Sequence, residues 1–349
     1  MLSARELARA GLSVILLEQG SLCRESSWAG GGIISPLIPW EYPDAVMALV
    51  RWSQSRYPQL AADLLEETGI DPEWTQSGLL LLDCELDAQV TAWHERYPCR
   101  LERLTAEQVQ ASEPGIANGF GPALQLPDVA QIRNPRLGQA LARALELQGI
   151  SLHEHCRVTG LRMAGDRVQG VTTEQGGFTA GRVVIAGGAW SGQIMASQVP
   201  GVPVEPVLGQ MIMYQARPDL LRQIVVHDGY YLIPRRDGLV LAGSTLERTG
   251  FRKHTTQAAR ALLTGRALRL LPGLSDYPVV GHWSGLRPGS DSGIPLIGEV
   301  PGIEGMFLNA GHFRNGVGMA PASARLLVDG ILGRESFTNP ADYALHLSA

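Results

Sequence analysis

Two arginines in the last third of the sequence stand where a guanidinium could hold a carboxylate. Arg287 lies in GLRPG and Arg314 lies in GHFRNG, so turn-forming residues flank both. Arginine can bind a carboxylate through two parallel hydrogen bonds, which makes both residues candidates for holding an anionic substrate. The alternative is an ordinary ion pair at the surface. The flanking glycines favour a binding site, because they indicate strict backbone geometry.

Two further side chains could take part in binding or proton transfer. Tyr231, in HDGYYLIP, could donate a hydrogen bond to a substrate carboxylate, and an aromatic core residue in a strand is the alternative. Its neighbour Tyr230 would point to the opposite face of the strand. His312 could act in catalysis, but a structural histidine beside a glycine turn explains it equally well.

The first residues have the order expected of the second half of a dinucleotide-binding βαβ unit. Residues 2–10 predict a short helix that ends at Gly11, and residues 13–17 predict a buried strand. Glu18 closes this strand, where a carboxylate can accept hydrogen bonds from an adenosine ribose. A solvated acid at a strand end is the alternative. The glycines that bind phosphate in such a unit precede its helix, and so would precede Met1.

Two glycine-containing segments offer places where the backbone could approach a flat cofactor. SSWAGGGI begins with Ser26 and Ser27, either of which could cap a helix or bind a phosphate oxygen, and it contains three adjacent glycines. A flexible loop is the alternative. The buried strand predicted over 183–186 runs into Gly187 and Gly188 and provides the second place.

The C-terminal segment GHFRNGVGM precedes a predicted helix over residues 320–332. A helix N-terminus offers free N–H groups and a partial positive charge, which stabilise negative charge on a bound ring. His153 and His155 would share one side of a strand predicted over 151–159. We interpret them as a solvent-facing pair and predict no metal site, since no further ligands lie nearby in sequence.

The composition indicates a folded protein and excludes several classes of function. A length of 349 residues, 45% of them hydrophobic and 18% charged, allows two domains with a sizeable core. The net charge of −5 gives no indication of a nucleic-acid partner or an anionic membrane surface. The four cysteines form no CxxC pair, which favours a reducing cytoplasm over a disulfide framework or a zinc site. No apolar run approaches the length of a membrane span.

The periodicity predicts an α/β protein with one domain inserted into another. Helices are predicted over 45–68, 86–97, 105–112, 136–148 and 255–271. Strands are predicted over 77–83, 207–215, 224–233 and 239–245, with hairpin turns at 164–167 and 235–238. The predicted layout is a Rossmann-like cofactor-binding domain made of 1–70, 131–203 and 282–349, with an inserted antiparallel-sheet α+β substrate domain made of 71–130 and 204–281.

The order of these motifs is familiar. RELARAGLSVILLEQG, SSWAGGG, VVIAGGAWS, YYLIPRRDG, GLRP and GHFRNGVGMAP resemble the FAD-dependent amine oxidases of the D-amino-acid oxidase family, most of all its glycine-oxidising members of thiamine biosynthesis. The resemblance covers nearly the whole chain, and GHFRNG and GLRP are its most specific parts. It implies an FAD/NAD(P)-binding domain of the glutathione-reductase type. It also implies oxidation of glycine, other small amines or D-amino acids by molecular oxygen to the imine or 2-oxo acid, ammonia and hydrogen peroxide.

The resemblance further implies roles for particular residues. Arg287 would hold the substrate carboxylate, assisted by Tyr231 and Arg314, and no side-chain base would be required. Glu18 would bind the ribose, and the 312–318 segment would cover the pyrimidine edge of the flavin. The residues implied in FAD binding are Glu18, Gln19, Ser26, Ser27, Gly31, Gly32, Ile33, Val158, Gly187, Gly188, Trp190, His312, Phe313, Arg314, Asn315, Gly316, Val317 and Gly318.

In this family a strand and a GxGxxG turn come immediately before the helix that begins here at Leu2. We therefore expect that the start codon is assigned too late. Three alternatives stay open: a D-amino-acid dehydrogenase that passes electrons to a quinone, a sarcosine-type oxidase with a cysteine-linked flavin, and a flavin-free protein. No cysteine lies near the C-terminal glycine segment, which disfavours the linked flavin. The preferred substrate and the oligomeric state, a homo-oligomer included, also stay open.

Overall fold

Four β-sheets and the helices around them make up the fold, which a computed structural model describes for residues 1–346. The α-helices in this range are α1 Leu2–Arg9, α2 Ser26–Ala29, α3 Asp44–Thr68, α4 Ala88–Arg96, α5 Ala106–Ser112, α6 Asn134–Leu147, α7 Ser191–Met195, α8 Gln257–Leu270 and α9 Gly316–Leu332. The strands are β1 Ile15–Leu17, β2 Leu79–Leu82, β3 Glu102–Leu104, β4 Ala123–Leu126, β5 Ser151–His153, β6 Val158–Ala164, β7 Arg167–Thr173, β8 Gly176–Thr179, β9 Val183–Ile185, β10 Glu205–Gln215, β11 Ile224–His227, β12 Tyr230–Pro234, β13 Leu239–Gly243, β14 Val279–Gly289, β15 Leu296–Glu299 and β16 Met306–Ala310.

Two of the small sheets are built on parallel pairs. Strand β1 pairs in parallel with β5, so that Ile15 lies opposite Ser151. Strand β9 pairs in parallel with β16, which also pairs antiparallel with β15. Leu17 at the end of β1 packs against the apolar cluster that contains Val183 and Ile185 of β9. The ends of β1 and β9 therefore lie close together. The third small sheet is the antiparallel β6–β7–β8 meander.

The large sheet has eight strands in the order β14-β10-β13-β12-β11-β2-β4-β3. Every pairing in it is antiparallel except that of β11 with β2. One face packs around Ile212 and Leu232 together with α8 and α5. The other face carries Met211, Tyr231 and Trp283. The same apolar cluster contains Met47 of α3, and Ile33 packs against it, so Tyr231 faces the segment that follows α2.

The first turns of α9 are buried against α3. Pro321 lies within α9 and has no N–H, so the carbonyl of Val317 lacks its usual intrahelical donor. The hydroxyl of Tyr57, on α3, donates to that carbonyl instead. Ser53, one turn earlier on α3, accepts a hydrogen bond from the amide of Ala322 through Oγ, at 3.1 Å. Helix α3 therefore satisfies the carbonyl that Pro321 leaves without a donor, and it adds a second contact to α9 through Ser53.

The predicted helices and most predicted strands are confirmed to within a few residues, but the single strand predicted over 151–159 is wrong. The chain forms β5 and β6 there, separated by a turn in which His155 has a φ of 53°. The amides of His155 and Cys156 donate to the carbonyls of Gly20 and Glu18, which draws the turn around the end of β1. His153 and His155 consequently do not share one face of a strand.

Two other predicted elements need correction. The strand predicted over 224–233 is a hairpin of β11 and β12, because Asp228 and Gly229 have φ values of 52° and 74° and form a tight turn. The helix predicted over 320–332 begins earlier, at Gly316, so Val317 and Gly318 belong to its first turn.

The predicted division into two domains stays a prediction. Its boundary at 282 falls inside β14, an edge strand of the eight-stranded sheet, so Arg287 lies on that sheet. None of the helices within residues 1–346 combines the length and the apolar character that crossing a bilayer requires.

Candidate active site

A cavity of about 1630 Å³ lies between β1, β9 and the end of α9. Pockets for drug-sized ligands measure roughly 300–1,000 Å³, so this cavity has room for a larger molecule such as a dinucleotide. The predicted cofactor-binding residues that line it are Glu18, Gln19, Ser26, Ser27, Val158, Gly187, Gly188 and Trp190. The fold therefore brings to one cavity predicted residues as far apart in sequence as Glu18 and Trp190.

Glu18 has a fixed orientation at the edge of this cavity. Its amide donates to the carbonyl of His153 at 2.9 Å, and its carbonyl accepts from the amide of Cys156 at 2.8 Å. The carboxylate oxygen Oε1 accepts the N–H of Gly20 at 2.8 Å. These bonds hold the carboxylate at the end of β1, where it can accept hydrogen bonds from a ribose hydroxyl.

The other predicted cofactor-binding residues meet at a second place, beside the eight-stranded sheet. The segment 312–318 forms a 3₁₀ turn, Phe313–Asn315, followed by the start of α9. A Cβ at Gly318 would lie 3.7 Å from the amide nitrogen of Ser35 and 3.9 Å from the carbonyl of Ile33. A Cβ at Gly31 would lie 3.4 Å from the ring of Tyr231. The start of α9, the three adjacent glycines at 30–32 (the glycine segment) and Tyr231 therefore adjoin one another.

Protein atoms lie close to two of the adjacent glycines, which the sequence predicted to face a flat cofactor. A Cβ at Gly31 would lie 2.6 Å from Cδ1 of Ile233, and a Cβ at Gly32 would overlap the carbonyl oxygen of Ile132. Gly32 also has a φ of 75°, in the left-handed region that glycine favours. The close neighbours of these positions are thus protein atoms. Their part in cofactor binding stays a prediction, and packing restricts Gly32 the more strongly, because its close neighbour is a backbone atom.

Arg235 fixes the glycine segment, although no pattern in the sequence predicts this role. Its guanidinium is buried and donates to the carbonyls of Gly31, at 2.8 Å, and Ile132, at 3.2 Å, and to Oε1 of Gln131 at 2.6 Å. Burial lowers the pKa of Arg235 to about 10, and the nearby charge of Arg133 contributes to this shift. The residue still carries its charge at neutral pH. Nothing in YYLIPRRDG indicates which of its two arginines is buried.

Asn134, at the start of α6, is a second candidate site residue that no pattern in the sequence predicts. Its Nδ2 donates to the carbonyl of Ser27 at 2.8 Å, and a Cβ at Gly30 would lie 2.9 Å from the same nitrogen. Its Oδ1 is buried and has no hydrogen-bond partner within residues 1–346. A buried acceptor without a partner is unusual. A hydroxyl of a cofactor held by this segment would satisfy it.

These groups fit FAD. A strand-end carboxylate suits the adenosine ribose, serine hydroxyls and free backbone amides suit phosphates, and a buried amide oxygen suits a ribityl hydroxyl. Glu18, Ser26, Ser27 and Asn134 supply these groups around the cavity and the adjoining glycine segment. No cluster of three or more His, Cys, Asp or Glu side chains capable of holding a metal ion occurs in the part of the chain that the structure describes.

Arg287 lies in the middle of the site on the eight-stranded sheet. Its Nη2 donates to Oγ of Ser244 at 2.7 Å, and its Nη1 donates to the carbonyl of Thr245 at 3.1 Å. Burial lowers the pKa of Arg287, the neighbouring Tyr231 acts in the opposite direction, and the charge of Arg314 lowers the pKa further. Within residues 1–346 no carboxylate forms an ion pair with Arg287. The guanidinium is therefore available to an anionic ligand.

The turn that the sequence suggested around Arg287 is not present, because β14 runs through it without interruption. The preceding glycine has another reason. A Cβ at Gly285 would lie 2.5 Å from Cβ of Ala29, so its absence lets α2 approach β14. Arg314 does lie in a turn and is exposed. It lines a cavity of about 540 Å³ together with Arg287.

His312 is neutral at physiological pH. Burial lowers its pKa to about 4. Its Nε2 lies 3.0 Å from Oγ of Ser323, and that hydroxyl donates its own hydrogen to the carbonyl of Met319 at 3.0 Å. The imidazole must therefore carry its hydrogen on Nε2 and donate it to Ser323. This arrangement favours the structural interpretation of His312 over a role in proton transfer.

Comparison with known proteins gives one family. Residues 1–330 match the DAO family, described as FAD dependent oxidoreductase. The chain is 48% identical over 345 residues to a glycine oxidase of Pseudomonas aeruginosa, which covers 99% of this chain and 95% of that protein. It is 29% identical over 335 residues to the bifunctional protein ThiO/ThiG of Synechocystis, over 95% of this chain and 49% of that protein.

A solved structure agrees with these matches. The crystal structure of glycine oxidase from Geobacillus kaustophilus superposes with a TM-score of 0.93 at 28% identity, and the match covers 99% of this chain and 95% of that one. The predicted α/β fold with a glutathione-reductase-type cofactor domain is thereby confirmed. Since the family match extends over residues 1–330, the chain belongs to the DAO family of FAD-dependent oxidoreductases and is an FAD-dependent amine oxidase.

Proposed function

We propose that the protein oxidises the amino group of glycine or another small amino acid, with molecular oxygen as the electron acceptor. The observation that carries this proposal is the environment of Arg287. Its guanidinium donates to Ser244 and to the carbonyl of Thr245, is next to Tyr231, and forms no ion pair with a carboxylate within residues 1–346. A desolvated cation with neutral partners is suited to bind one small carboxylate. The glycine oxidase of Pseudomonas aeruginosa supports glycine as the substrate.

Binding and orientation are the protein's own contribution to catalysis. Arg287 would hold the substrate carboxylate, and the phenol of Tyr231 would donate a further hydrogen bond. Arg314, exposed at the adjoining cavity, would add positive charge at its mouth. A carboxylate fixed at two points leaves Cα and the amine in one orientation, and positioning of this kind lowers the barrier by removing entropy.

FAD, when bound, supplies the two-electron oxidant of the reaction. The amino acid, oxygen and water give the 2-oxo acid, ammonia and hydrogen peroxide, by way of an imine that water hydrolyses. The N-terminal amides of α9, which begins at Gly316, would stabilise negative charge near the glycine segment. We assign no side-chain base, since the Nε2 hydrogen of His312 already binds Ser323.

Three wider assignments belong to the same proposal. The similarity to the bifunctional protein ThiO/ThiG supports a place in thiamine thiazole synthesis. We propose a cytoplasmic location, because the four cysteines show no disulfide pattern and all are free in the structure. We leave the oligomeric state to measurement, with a homo-oligomer as the alternative to a monomer.

The test starts from purified protein and its visible spectrum, which reports bound flavin. We expect glycine to bleach the flavin without oxygen and to yield one peroxide per glycine with oxygen. Arg287→Ala should lower kcat/KM for glycine by about 10²-fold or more, the range expected when one partner of a buried charge pair is removed. Arg269→Ala, at an exposed position of α8, should leave it unchanged. An unchanged kcat/KM in Arg287→Ala, or electron transfer to a dye with no peroxide, would contradict the proposal.

A further inference from the structure

Arg287 and Tyr231 belong to strands that are not neighbours, yet their side chains come together. In the sheet order β14-β10-β13-β12, two strands separate them. We propose that Gly209 on β10 and Gly243 on β13 are positioning residues, which determine specificity for a carboxylate by leaving the space that these two side chains cross. The inference rests on the proposed function, because it concerns the same carboxylate site.

Gly209 provides the space for the guanidinium. Arg287 pairs with Val207 in the register of β14 and β10, and Gly209 lies two residues further along β10 on the same face. A Cβ at Gly209 would overlap Nη1, Cζ and Nη2 of Arg287. The guanidinium therefore lies flat against the backbone of β10 on its way to Ser244 and Thr245.

Gly243 provides the space for the phenol. It pairs with Tyr231 on one side and with Met211 on the other. A Cβ at Gly243 would lie 2.7 Å from Cε2, Cζ and the hydroxyl oxygen of Tyr231. The ring thus lies across β13, and its hydroxyl reaches Sδ of Met211 at 3.8 Å. The same device, a glycine on the intervening strand, serves both side chains.

A left-handed backbone conformation does not account for glycine at these positions. Twenty glycines of the described chain have a φ in the left-handed region, and neither Gly209 nor Gly243 is among them. A glycine inside a strand weakens the strand and marks a close approach. Here the close approach is made by the two side chains that would bind the substrate carboxylate. The two glycines are therefore explained by the site and not by a turn.

Adding one methyl group at position 209 tests this inference. In Gly209→Ala the guanidinium must leave its place over β10 and so lose Ser244 and Thr245. We expect the KM for glycine, and the Kd for acetate measured from the flavin absorption spectrum, to rise at least about tenfold, because hydrogen bonds to a charged group are lost. The kcat at saturating glycine should change much less. Gly265→Ala, on α8 with no atom near its Cβ position, is the matched control and should bind acetate like the unchanged protein.

A double-mutant cycle separates this role from general strain in the sheet. In an Arg287→Ala background the methyl group at position 209 occupies the space that the guanidinium has left. Adding Gly209→Ala to that background should then change the Kd for acetate by less than twofold and the Tm by no more than the error of the measurement. The same cycle applies to Gly243→Ala in a Tyr231→Ala background. If Gly209→Ala alone does not fold, Arg287→Ala/Gly209→Ala should recover folded, flavin-containing protein.

Two results would overturn the inference. One is an acetate Kd in Gly209→Ala equal to that of the unchanged protein. The other is a Gly209→Ala effect of the same size with and without Arg287, including failure of both variants to fold. Absence of any glycine oxidation by the unchanged protein, with acetate binding still lost in Gly209→Ala, would reject the proposed function and leave this assignment standing.

Discussion

The hydroxyl of Tyr57 on α3 donates its hydrogen bond to the carbonyl of Val317, in the first turn of α9. The donor replaces the N–H that Pro321 lacks, and the accepting residue, Val317, lies in the 312–318 segment that is predicted to cover the flavin. Tyr57 is fully buried, so water does not reach this pair from its side. This hydrogen bond connects α3, the longest helix of the structure, to the start of α9. The stability of the fold and the shape of the predicted cofactor site therefore depend on the same contact.

Replacement of Tyr57 by Phe should show both connections. The carbonyl of Val317 would be left without a donor in a buried place, which costs about 1–3 kcal/mol of unfolding free energy. We also expect weaker retention of FAD. Denaturant titration and flavin release on dilution measure the two effects. Tyr277→Phe, at a half-buried position, should show neither, and equal stability of Tyr57→Phe and the unchanged protein would contradict the assignment.

Arg235→Met should loosen the glycine segment. Three acceptors, the carbonyls of Gly31 and Ile132 and Oε1 of Gln131, would lose their donor. We expect a loss of about 1–3 kcal/mol of stability for a buried acceptor left without its donor, together with a lower fraction of bound FAD. Thermal unfolding and the ratio of flavin to protein absorbance report these changes.

The neighbouring arginine is the control for that experiment. Arg236 binds Asp71 and Thr75 at the surface, where such pairs contribute about 0–1 kcal/mol. Arg236→Met should therefore change the Tm and the flavin content little. Equal losses in the two variants would show that the position in the turn after β12, and not the contact with Gly31, decides the outcome.

Ser244→Ala removes one hydrogen-bond partner of Arg287, the residue proposed to bind the substrate carboxylate, and leaves Arg287 itself in place. The guanidinium of Arg287 would lose its 2.7 Å bond to Oγ and keep its bond to the carbonyl of Thr245. We expect the KM for glycine to rise roughly tenfold and the kcat to fall less, because a hydrogen bond to a charged group contributes about 1.5–3 kcal/mol. Steady-state kinetics with peroxide detection measure both constants. Ser275→Ala, at an exposed position, should leave them unchanged, whereas an unaltered KM in Ser244→Ala would contradict the role of Ser244.

Local patterns predicted most elements, because the period of apolar residues depends on neighbours in sequence. They failed where a distant contact decides the structure. The carbonyls of Gly20 and Glu18 break the strand predicted over 151–159, and Tyr57 allows α9 to begin before Pro321. No pattern within either segment contains its partner, which lies more than 130 residues away in both cases.

The site was predictable to the extent that its residues have unusual chemistry. Glu18 stands out as an acid at the end of an apolar segment, and Arg287 stands out as a cationic residue within one. Gly209 and Gly243 do not, because a glycine in a strand acquires its meaning only from the side chain that crosses it. Arg235 and Arg236 look alike in sequence, and only the fold buries the first and exposes the second.

His312 should give the protein a stability that depends on pH. Its pKa is about 4 in the folded state, below the usual 6.5, because burial disfavours the charged imidazole. Between pH 6.5 and 4 the unfolded chain takes up a proton that the folded chain does not, so stability falls as the pH drops through this window. Above pH 6.5 both states are neutral and the effect is absent. The loss should approach about 3 kcal/mol near pH 4.

His312→Gln isolates this contribution, because an amide can donate to Ser323 and does not titrate. Denaturant titrations from pH 7 to pH 4.5 should give a smaller decline of unfolding free energy in His312→Gln than in the unchanged protein. His155→Gln removes an exposed imidazole and should keep the full decline. If His312→Gln and His155→Gln follow the same pH dependence, the imidazole at 312 is not kept neutral by burial.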